Sequence, residues 1–326
     1  MMRWRSLILF AAVGVVLYAA LLASADPSAA IAAAARVSGL SWLLILGLSL
    51  LNYGLRFLRW DGYLRYLGNH LAFTRHLAIY MAGFALTTTP GKAGEAIRSV
   101  YLKPLGVGYE RSIAVLYTER LVDAISIALL ATLLVEMPAP GYRWSAVIAA
   151  MFAIALLLLQ RAPALNAVAR LVPSLPLPRM RRAAQSALDC LRQATALLRF
   201  RLLLLGVGVG LISWGAEAVA FYHVAHVLDI PIGPVVAIGI YATAMLVGAL
   251  SFLPGGLGST EAVMVSLLVL AGAPVPAAVA TTTVVRVATL WFAVALGVVA
   301  LAATETSRRR YSLSNESPGA KAQAGR

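Results

Sequence analysis

The sequence predicts an all-α polytopic membrane protein, because of its composition, its apolar runs and the placement of its arginines. Hydrophobic residues make up 61% of the 326 residues and charged residues only 12%, and the mean hydropathy is +0.84. A water-soluble domain carries about 25% charged residues and could not cover its surface with so few. The net charge of +14 argues for anionic lipid headgroups rather than nucleic acid, since most arginines lie at the ends of apolar runs.

Six segments are apolar enough to cross a bilayer, which takes roughly 20 residues. They are 6–24, 39–58, 112–135, 144–160, 202–226 and 277–303. Two pairs of shorter runs, 76–89 with 95–105 and 235–253 with 257–272, are each interrupted by proline and glycine. We interpret each pair as a helical hairpin that enters and leaves the membrane on the same side, as a re-entrant segment would. The sequence ASAD at 23–26 resembles a signal-peptide cleavage site, but the long apolar run before it favours an uncleaved first span.

The arginines give the spans an orientation. Segment 56–75 contains four arginines, including Arg56 and Arg59, and segment 160–201 contains eight, whereas the opposite loops carry two between them. By the positive-inside rule both termini are cytoplasmic, in a bacterial inner membrane. The run that follows residue 178 has one apolar helical face, which is typical of an interfacial helix and equally of a solvated connector.

Two halves of the chain repeat one pattern. Glu95 and Glu261, Gly106 and Gly272, and Arg120 and Arg286 form three pairs that share one and the same separation along the chain. Each half reads as apolar helix, Pro/Gly break, glutamate, short helix, glycine turn and a long span with an arginine. Because three crossings separate the hairpins, the second copy would enter from the other side. We predict an inverted-topology repeat, an architecture that many transporters use.

These patterns define the domain organisation. We predict one integral-membrane domain at 1–303, with repeat halves at about 76–135 and 235–303. A cytoplasmic amphipathic loop is expected at about 161–201, and a disordered cytoplasmic tail at 304–326.

The two breaks predict exposed backbone at membrane depth, which is tolerated only where protein or water lines a cavity. The breaking residues are Pro90, Gly91, Gly94, Pro254, Gly255, Gly256 and Gly258. The short helix after each break would begin near Ala93 or Ser259, and its N-terminus could hold an anion. Plain helix kinks are the alternative.

Ionisable residues in these segments are candidate substrate-binding residues, because burying each charge in a membrane is costly. They are Arg120, Arg286, Glu95, Glu261, Lys92, Arg98, Glu119, Asp123 and Glu217. Two facing arginines would suit phosphate; alternatively, Arg120 and Arg286 simply neutralise Glu95 and Glu261. Four basic and five acidic groups leave room for a zwitterionic headgroup or for glutamates that carry protons.

The motifs PGKAGEAIR, YTERLVD and LPGGLGSTE, with a later intramembrane arginine, resemble the flippase-like membrane domain of lysylphosphatidylglycerol synthases. The resemblance covers about residues 5–303 and implies a helical bundle with re-entrant hairpins that moves lipid between leaflets. It also implies that one set of residues lines a lipid-handling cavity. These are Glu95, Arg98, Glu119, Arg120, Asp123, Pro254, Gly255, Gly258 and Glu261. About 20 polar residues follow the membrane part, so we expect a stand-alone member that lacks the soluble aminoacyl-transferase domain.

We therefore expect a lipid flippase of the inner membrane. The alternatives are a small-solute secondary transporter, a membrane enzyme acting on lipid-linked sugars through Glu95 or Glu261, and an accessory subunit of a lipid-synthesis complex. No catalytic or nucleotide-binding motif is present and the chain has a single cysteine, so we expect no enzyme activity, cofactor or metal. The expected partners are membrane lipids with anionic or zwitterionic headgroups and lipid-biosynthesis enzymes, but not nucleic acid.

Overall fold

The computed structural model describes residues 27–89, 94–136 and 177–315, together with short pieces between 148 and 174. Within these ranges the regular elements are helices and no strand occurs. Three helices are long and apolar enough to cross a membrane: Gly39–Tyr66, Phe200–Val227 and Val275–Thr306. The predicted class, an all-α membrane protein, is confirmed.

Eleven α-helices are described. They are α1 Pro27–Ala34, α2 Gly39–Tyr66, α3 Phe73–Ala82, α4 Ile97–Leu102, α5 Tyr109–Ala131, α6 Pro178–Leu197, α7 Phe200–Val227, α8 Pro234–Leu250, α9 Ser259–Leu270, α10 Val275–Arg286 and α11 Phe292–Asn315. A π-helical segment, Val287–Trp291, joins α10 to α11. Short 3₁₀ segments extend α3, α4 and α5, and one forms the second Pro/Gly break, Pro254–Gly256.

Several predictions fall outside the described residues. The first span at 6–24, most of the span at 144–160, and the hairpin residues Pro90, Gly91 and Lys92 lie there. The described part of the tail is helical as far as Asn315. The domain boundaries therefore stay a prediction.

Helix α2 corrects the prediction that a cytoplasmic loop begins at residue 56. The helix continues to Tyr66, and Arg56 and Arg59 are only 5% and 6% exposed. Both arginines share a buried face with Asn52 and Tyr63, at the three- and four-residue spacing of a helix. A buried arginine is tolerated here because acidic residues of α5 neutralise it.

The second hairpin is too short to cross a bilayer twice. Helix α9 has 12 residues and is therefore ~18 Å long, against a hydrocarbon core of ~30 Å. In the first hairpin, α4 has only six residues. These lengths support the re-entrant path that the breaks predicted.

The two halves pack against each other reciprocally. Helix α3 of the first hairpin packs on α11, and α8 of the second hairpin packs on α5. Each interface has a glycine at a close approach: a Cβ on Gly297 would lie 2.2 Å from the amide nitrogen of Ala85, and one on Gly239 would lie 2.5 Å from that of Leu134. Each hairpin is therefore held by the long helix of the other half, which supports the internal repeat.

Two peripheral contacts fix the ends of the bundle. Helix α6 packs on α5, and its residues Leu188 and Leu197 are buried. Segment 27–34, which lies between the predicted spans 6–24 and 39–58, is helical as α1 and packs on α10. In the loops after α1 and α7, Arg36 pairs with Asp229 at 2.5 Å and lowers the pKa of the Asp229 carboxyl through a hydrogen bond and its charge.

Candidate functional site

A cavity of about 230 Å³ lies between the two hairpins and is lined by residues of both halves. Its wall includes the second break, Gly255 and Gly256, and the aromatic rings of Tyr53, Phe84 and Trp214. The charged residues of the wall are Arg56, Glu95, Arg120, Asp123, Glu217 and Arg286. Five of these six were predicted from the sequence to bind substrate.

Arg120 is the most accessible member of the charged network in the first half. Its side chain is 26% exposed, whereas those of its three acidic neighbours are at most 5% exposed. One guanidinium nitrogen, Nη2, lies 3.0 Å from Glu119, 3.4 Å from Asp123 and 3.6 Å from Glu95. The buried Nε and Nη2 atoms have no hydrogen-bond partner among the described residues. Arg120 is therefore ion-paired with three carboxylates, while part of its side chain stays open to the cavity.

Arg98 and Glu119 lie behind the cavity wall. Arg98 is fully buried against the ring of Tyr80, 4.0 Å from its centroid, and it pairs with Glu119 at 3.1 Å and Glu95 at 3.2 Å. Glu119 accepts a hydrogen bond from the Tyr80 hydroxyl at 2.7 Å. Neither residue lines the cavity. Their geometry suits them to support the network rather than to contact a ligand.

Sequence reasoning missed Arg56 and Arg59 of α2. Arg56 pairs with Asp123 at 3.1 Å and lies 5.2 Å from the centroid of the Trp214 ring. Arg59 pairs with the same carboxylate and donates to the carbonyl oxygen of Gly206 at 3.3 Å. The helical spacing of polar and aromatic residues through 49–63 is the signal that could have placed them inside the protein.

The second half holds one closed Glu–Arg pair. Arg286 contacts Glu261 at 2.6 Å and donates through Nη2 to the carbonyl oxygen of Gly255 at 2.9 Å. The other oxygen of Glu261 accepts the amide hydrogen of Gly258 at 2.7 Å. The sequence predicted that the N-terminus of α9 could hold an anion. This position is instead filled by the carboxylate of Glu261, the third residue of the helix, which caps the helix N-terminus.

The second break also requires its glycines. Gly255, Gly256 and Gly258 have φ values of 62°, 68° and 85°, in the left-handed region that favours glycine. A Cβ on Gly255 would lie 3.5 Å from the Cα of Thr88 and 3.6 Å from Leu290. The tip of the second hairpin therefore touches the first hairpin and the π segment. Pro254 begins the 3₁₀ turn but does not line the cavity.

The described part of the first break shows how Glu95 is oriented. Glu95 accepts a hydrogen bond from the Thr87 hydroxyl at 3.0 Å, and the amide of Gly94 donates to the Thr89 hydroxyl at 2.7 Å. The threonines before the break therefore position the residues after it. Among the described residues, no group of three or more His, Cys, Asp and Glu residues could hold a metal ion.

Glu217 is the acidic residue of the cavity that the long helix α7 contributes. It is 4% exposed and accepts a hydrogen bond from the hydroxyl of Tyr241 on α8 at 2.6 Å. Tyr241 is itself 1% exposed and packs on Phe221. This hydrogen bond connects α7 to α8, the first helix of the second hairpin.

Comparison with known proteins places the chain in a family. A family model described as the lysylphosphatidylglycerol synthase TM region matches residues 7–297, nearly the whole chain. Two curated matches, each described as a UPF0104 membrane protein of Methanothermobacter thermautotrophicus, are 36% identical over 91 residues and 28% identical over 99 residues. They cover 28% and 30% of this chain, and the matched stretches span 27% and 29% of the relatives. The chain belongs to the lysylphosphatidylglycerol synthase TM region family.

Proposed function

We propose that this protein is a lipid flippase, or translocase, that moves a phosphate-bearing lipid between the leaflets of the bacterial inner membrane. The observation that carries the proposal is the partly exposed side chain of Arg120 in a cavity between two hairpin tips. Arginine binds phosphate with a fixed pair of donors. The mixture of basic and acidic groups in the wall suits a headgroup that is anionic or zwitterionic, on a phospholipid or an isoprenoid-linked lipid.

The apolar side of the cavity favours lipid as the cargo. Phe252 and Leu253 line the cavity and are 72% and 45% exposed, so they border its opening. Met245, Leu246 and Ala249 of α8 continue this apolar wall. A headgroup could enter beside these side chains while its tails stay in the hydrocarbon phase.

The reciprocal packing of the halves suggests how the cavity changes access. Each hairpin packs on the long helix of the other half, and the two tips meet at Gly255 and Thr88. Rocking of one half against the other would open the cavity to one leaflet and then to the other, as in transporters built from repeats. We further propose that both termini are cytoplasmic, that the protein is not an enzyme, and that lipid-biosynthesis enzymes are its protein partners.

A reconstituted lipid-translocation assay tests this proposal. Purified protein in liposomes should move a headgroup-labelled phospholipid from the inner to the outer leaflet, measured by dithionite quenching. Arg120→Gln should slow this movement at least tenfold, whereas Arg75→Gln, which changes an exposed arginine of α3, should leave it unchanged. Mass spectrometry of the lipids that copurify with wild type and Arg120→Gln would identify the cargo class. Equal translocation by the two arginine variants would exclude the proposed headgroup site.

A small-solute transporter is the second candidate, because a cavity of about 230 Å³ could also enclose a small anion. Uptake of labelled phosphate or a small carboxylate into the same liposomes, without lipid movement, would favour it. Lipid movement without solute uptake would favour the flippase.

A further inference from the structure

We propose that the side chain of Phe252 contacts the hydrocarbon tail of the transported lipid, at the place where the cavity opens to the bilayer. The inference rests on the proposed function and adds a tail contact to the proposed headgroup site at Arg120. Three observations carry it: the backbone conformation of Phe252, the exposure of its ring and the apolar surface around it.

The backbone of Phe252 is in a conformation that few residues of its size adopt. Its φ value is 53°, and Asp229 is the only other non-glycine residue with a positive φ among those that the structure describes. Aspartate tolerates this region because its short polar side chain can bond locally, whereas a bulky side chain is strained there. Strained residues of this kind are concentrated at ligand-binding and switch sites. The conformation of Phe252 therefore points to a functional role for its side chain.

Hydrogen bonds across the second break hold this conformation. The hydroxyl of Ser251 lies 2.9 Å from that of Ser259, and it accepts the amide hydrogen of Leu253 at 3.3 Å. The Ser259 hydroxyl also contacts the carbonyl oxygen of Gly256 at 3.1 Å. Both neighbours of Phe252 are thus anchored, and this fixes the backbone between them.

The ring of Phe252 lies at the border of the cavity. It lines the cavity and is nevertheless 72% exposed. Val247 and Leu250, in the last turn of α8, are also exposed, and the buried Glu261 is the only charged residue from Pro234 to Leu270. An exposed apolar surface that carries no charge suits hydrocarbon rather than water. This opening of the cavity therefore faces lipid tails.

The corresponding residues of the first break differ in polarity and exposure. When Pro90 is aligned with Pro254, the residues that precede these prolines are Thr87–Thr89 in the first half and Ser251–Leu253 in the second. The three threonines are buried, and the Thr87 hydroxyl donates to Glu95 at 3.0 Å. The stretch before the break thus serves the polar network in the first half and borders the bilayer in the second.

This arrangement lets one lipid occupy both parts of the site. A headgroup at Arg120 would lie inside the cavity, and its tails would leave past the apolar wall that Met245, Leu246 and Phe252 form. An aromatic ring can cover an acyl or a prenyl chain, because apolar contact needs no particular hydrogen bond. A bound headgroup keeps its own tail beside the ring, so Phe252 should contact the transported lipid more often than an ordinary surface residue does.

Photocrosslinking in native membranes tests this contact directly. The photoreactive amino acid benzoylphenylalanine in place of Phe252 keeps an aromatic side chain at the opening. The control carries the same amino acid in place of Leu270, which is 66% exposed but does not line the cavity. Mass spectrometry of the attached lipids should show one lipid class enriched at residue 252 relative to residue 270. Equal lipid profiles at the two residues would overturn the inference, because Phe252 would then contact only bulk lipid.

Two variants separate the role of the side chain from that of the backbone. Phe252→Asn suits a positive φ but removes the apolar contact, whereas Phe252→Leu keeps an apolar side chain. In liposomes, Phe252→Asn should slow the movement of headgroup-labelled phospholipid by about fivefold, and Phe252→Leu and Leu270→Asn should stay close to the wild-type rate. The thermal unfolding midpoint of Phe252→Asn should be no lower than that of wild type. A wild-type rate in Phe252→Asn, or equal slowing in Phe252→Leu, would overturn the inference.

The outcomes distinguish failure of this inference from failure of the proposed function. In Arg120→Gln the lipid enrichment at residue 252 should disappear; if it persists, the tail contact stands and the headgroup site at Arg120 fails. Slowed lipid movement in Arg120→Gln with a wild-type rate in Phe252→Asn would overturn the tail contact alone. No lipid movement by wild type, together with equal lipid profiles at the two crosslinking positions, would overturn both.

Discussion

The two halves use the same Glu–Arg pair in opposite ways. Glu261 and Arg286 form a closed contact of 2.6 Å in which each partner also holds the backbone of the second break. The equivalent pair, Glu95 and Arg120, is separated by 3.6 Å, and Arg120 is partly exposed to the cavity. One copy therefore braces its hairpin, and in the other copy part of the Arg120 side chain is exposed to the cavity.

The residues around each pair explain this difference. In the first half, Arg98 and Glu119 are buried and ion-paired, and Arg98 takes up the glutamate that Arg120 would otherwise hold. At the offset that relates the two Glu–Arg pairs, the second half has Met264 and Val285, which are buried and apolar. The same places in the fold are thus filled by an ionic network in one half and by apolar packing in the other. Apolar packing is often the more stable of these solutions.

The largest effect should follow from removing Glu119, the acid shared by three arginines. Glu119→Val leaves the charges of Arg56, Arg98 and Arg120 undercompensated in a buried network. We expect a loss of about 3–5 kcal/mol in the free energy of unfolding. Chemical denaturation in detergent micelles, followed by tryptophan fluorescence, would measure it.

The matched variant copies the second half into the first. Adding Arg98→Met to Glu119→Val removes one positive and one negative charge together and reproduces the pair Met264 and Val285. Most of the lost stability should return. If the double variant were no more stable than the single one, the two halves would not be interchangeable at these positions.

A smaller loss should follow from Arg286→Met in the second half. This change isolates one carboxylate, that of Glu261, which still accepts the amide hydrogen of Gly258 at 2.7 Å. We expect about 3 kcal/mol of destabilisation, measured in the same way. Glu261→Gln added to Arg286→Met should recover part of it, because an amide oxygen can keep the bond to Gly258. An additive loss in the double variant would argue against a structural pair.

The two arms of each hairpin come close together at a glycine, Gly83 in the first hairpin and Gly248 in the second. A Cβ on Gly83 would lie 2.2 Å from the Nε of Arg98, and one on Gly248 would lie 2.0 Å from the hydroxyl of Thr260. Both alanine variants should destabilise by ~1–3 kcal/mol through overpacking, with Gly83→Ala at the upper end because ion pairs fix Arg98. Gly208 has nothing within 4 Å, so Gly208→Ala in α7 should stabilise by about 0.5–1 kcal/mol. Thermal unfolding midpoints would rank the three variants, and equal midpoints for the first two would remove the contrast between the hairpins.

The sequence predicted those features that depend on rare residues in apolar helices. Glutamate and arginine stand out there, so their constant offset between the halves predicted the repeat. The alternative in which Arg120 and Arg286 neutralise Glu95 and Glu261 agrees with the contacts in the structure. The equivalent turn glycines were predicted from the same offset. Gly106 and Gly272 both adopt the left-handed conformation, with φ values of 86° and 97°.

The sequence could not predict contacts between distant segments. Arg56 and Arg59 of α2 pair with Asp123, which lies far along the chain on α5, and without that partner an arginine at the end of an apolar run is typical of a cytoplasmic loop. The expectation that the N-terminus of α9 could hold an anion needed correction for a related reason. The pattern shows a helix N-terminus, but only the side-chain geometry shows that Glu261 already fills it.

Among the ion-pair variants, the smallest loss of stability should come from Arg120, whose side chain is partly exposed. In Arg120→Gln each acid keeps another partner: Glu95 and Glu119 keep Arg98, and Asp123 keeps Arg56. We expect a loss of no more than about 1–2 kcal/mol in the free energy of unfolding, because no buried charge is left unpaired. Denaturation of Arg120→Gln beside Arg286→Met would measure both. A loss at Arg120 equal to that at Arg286 would make both arginines braces, whereas a small loss together with slowed lipid movement would separate the ligand-binding copy from the structural one.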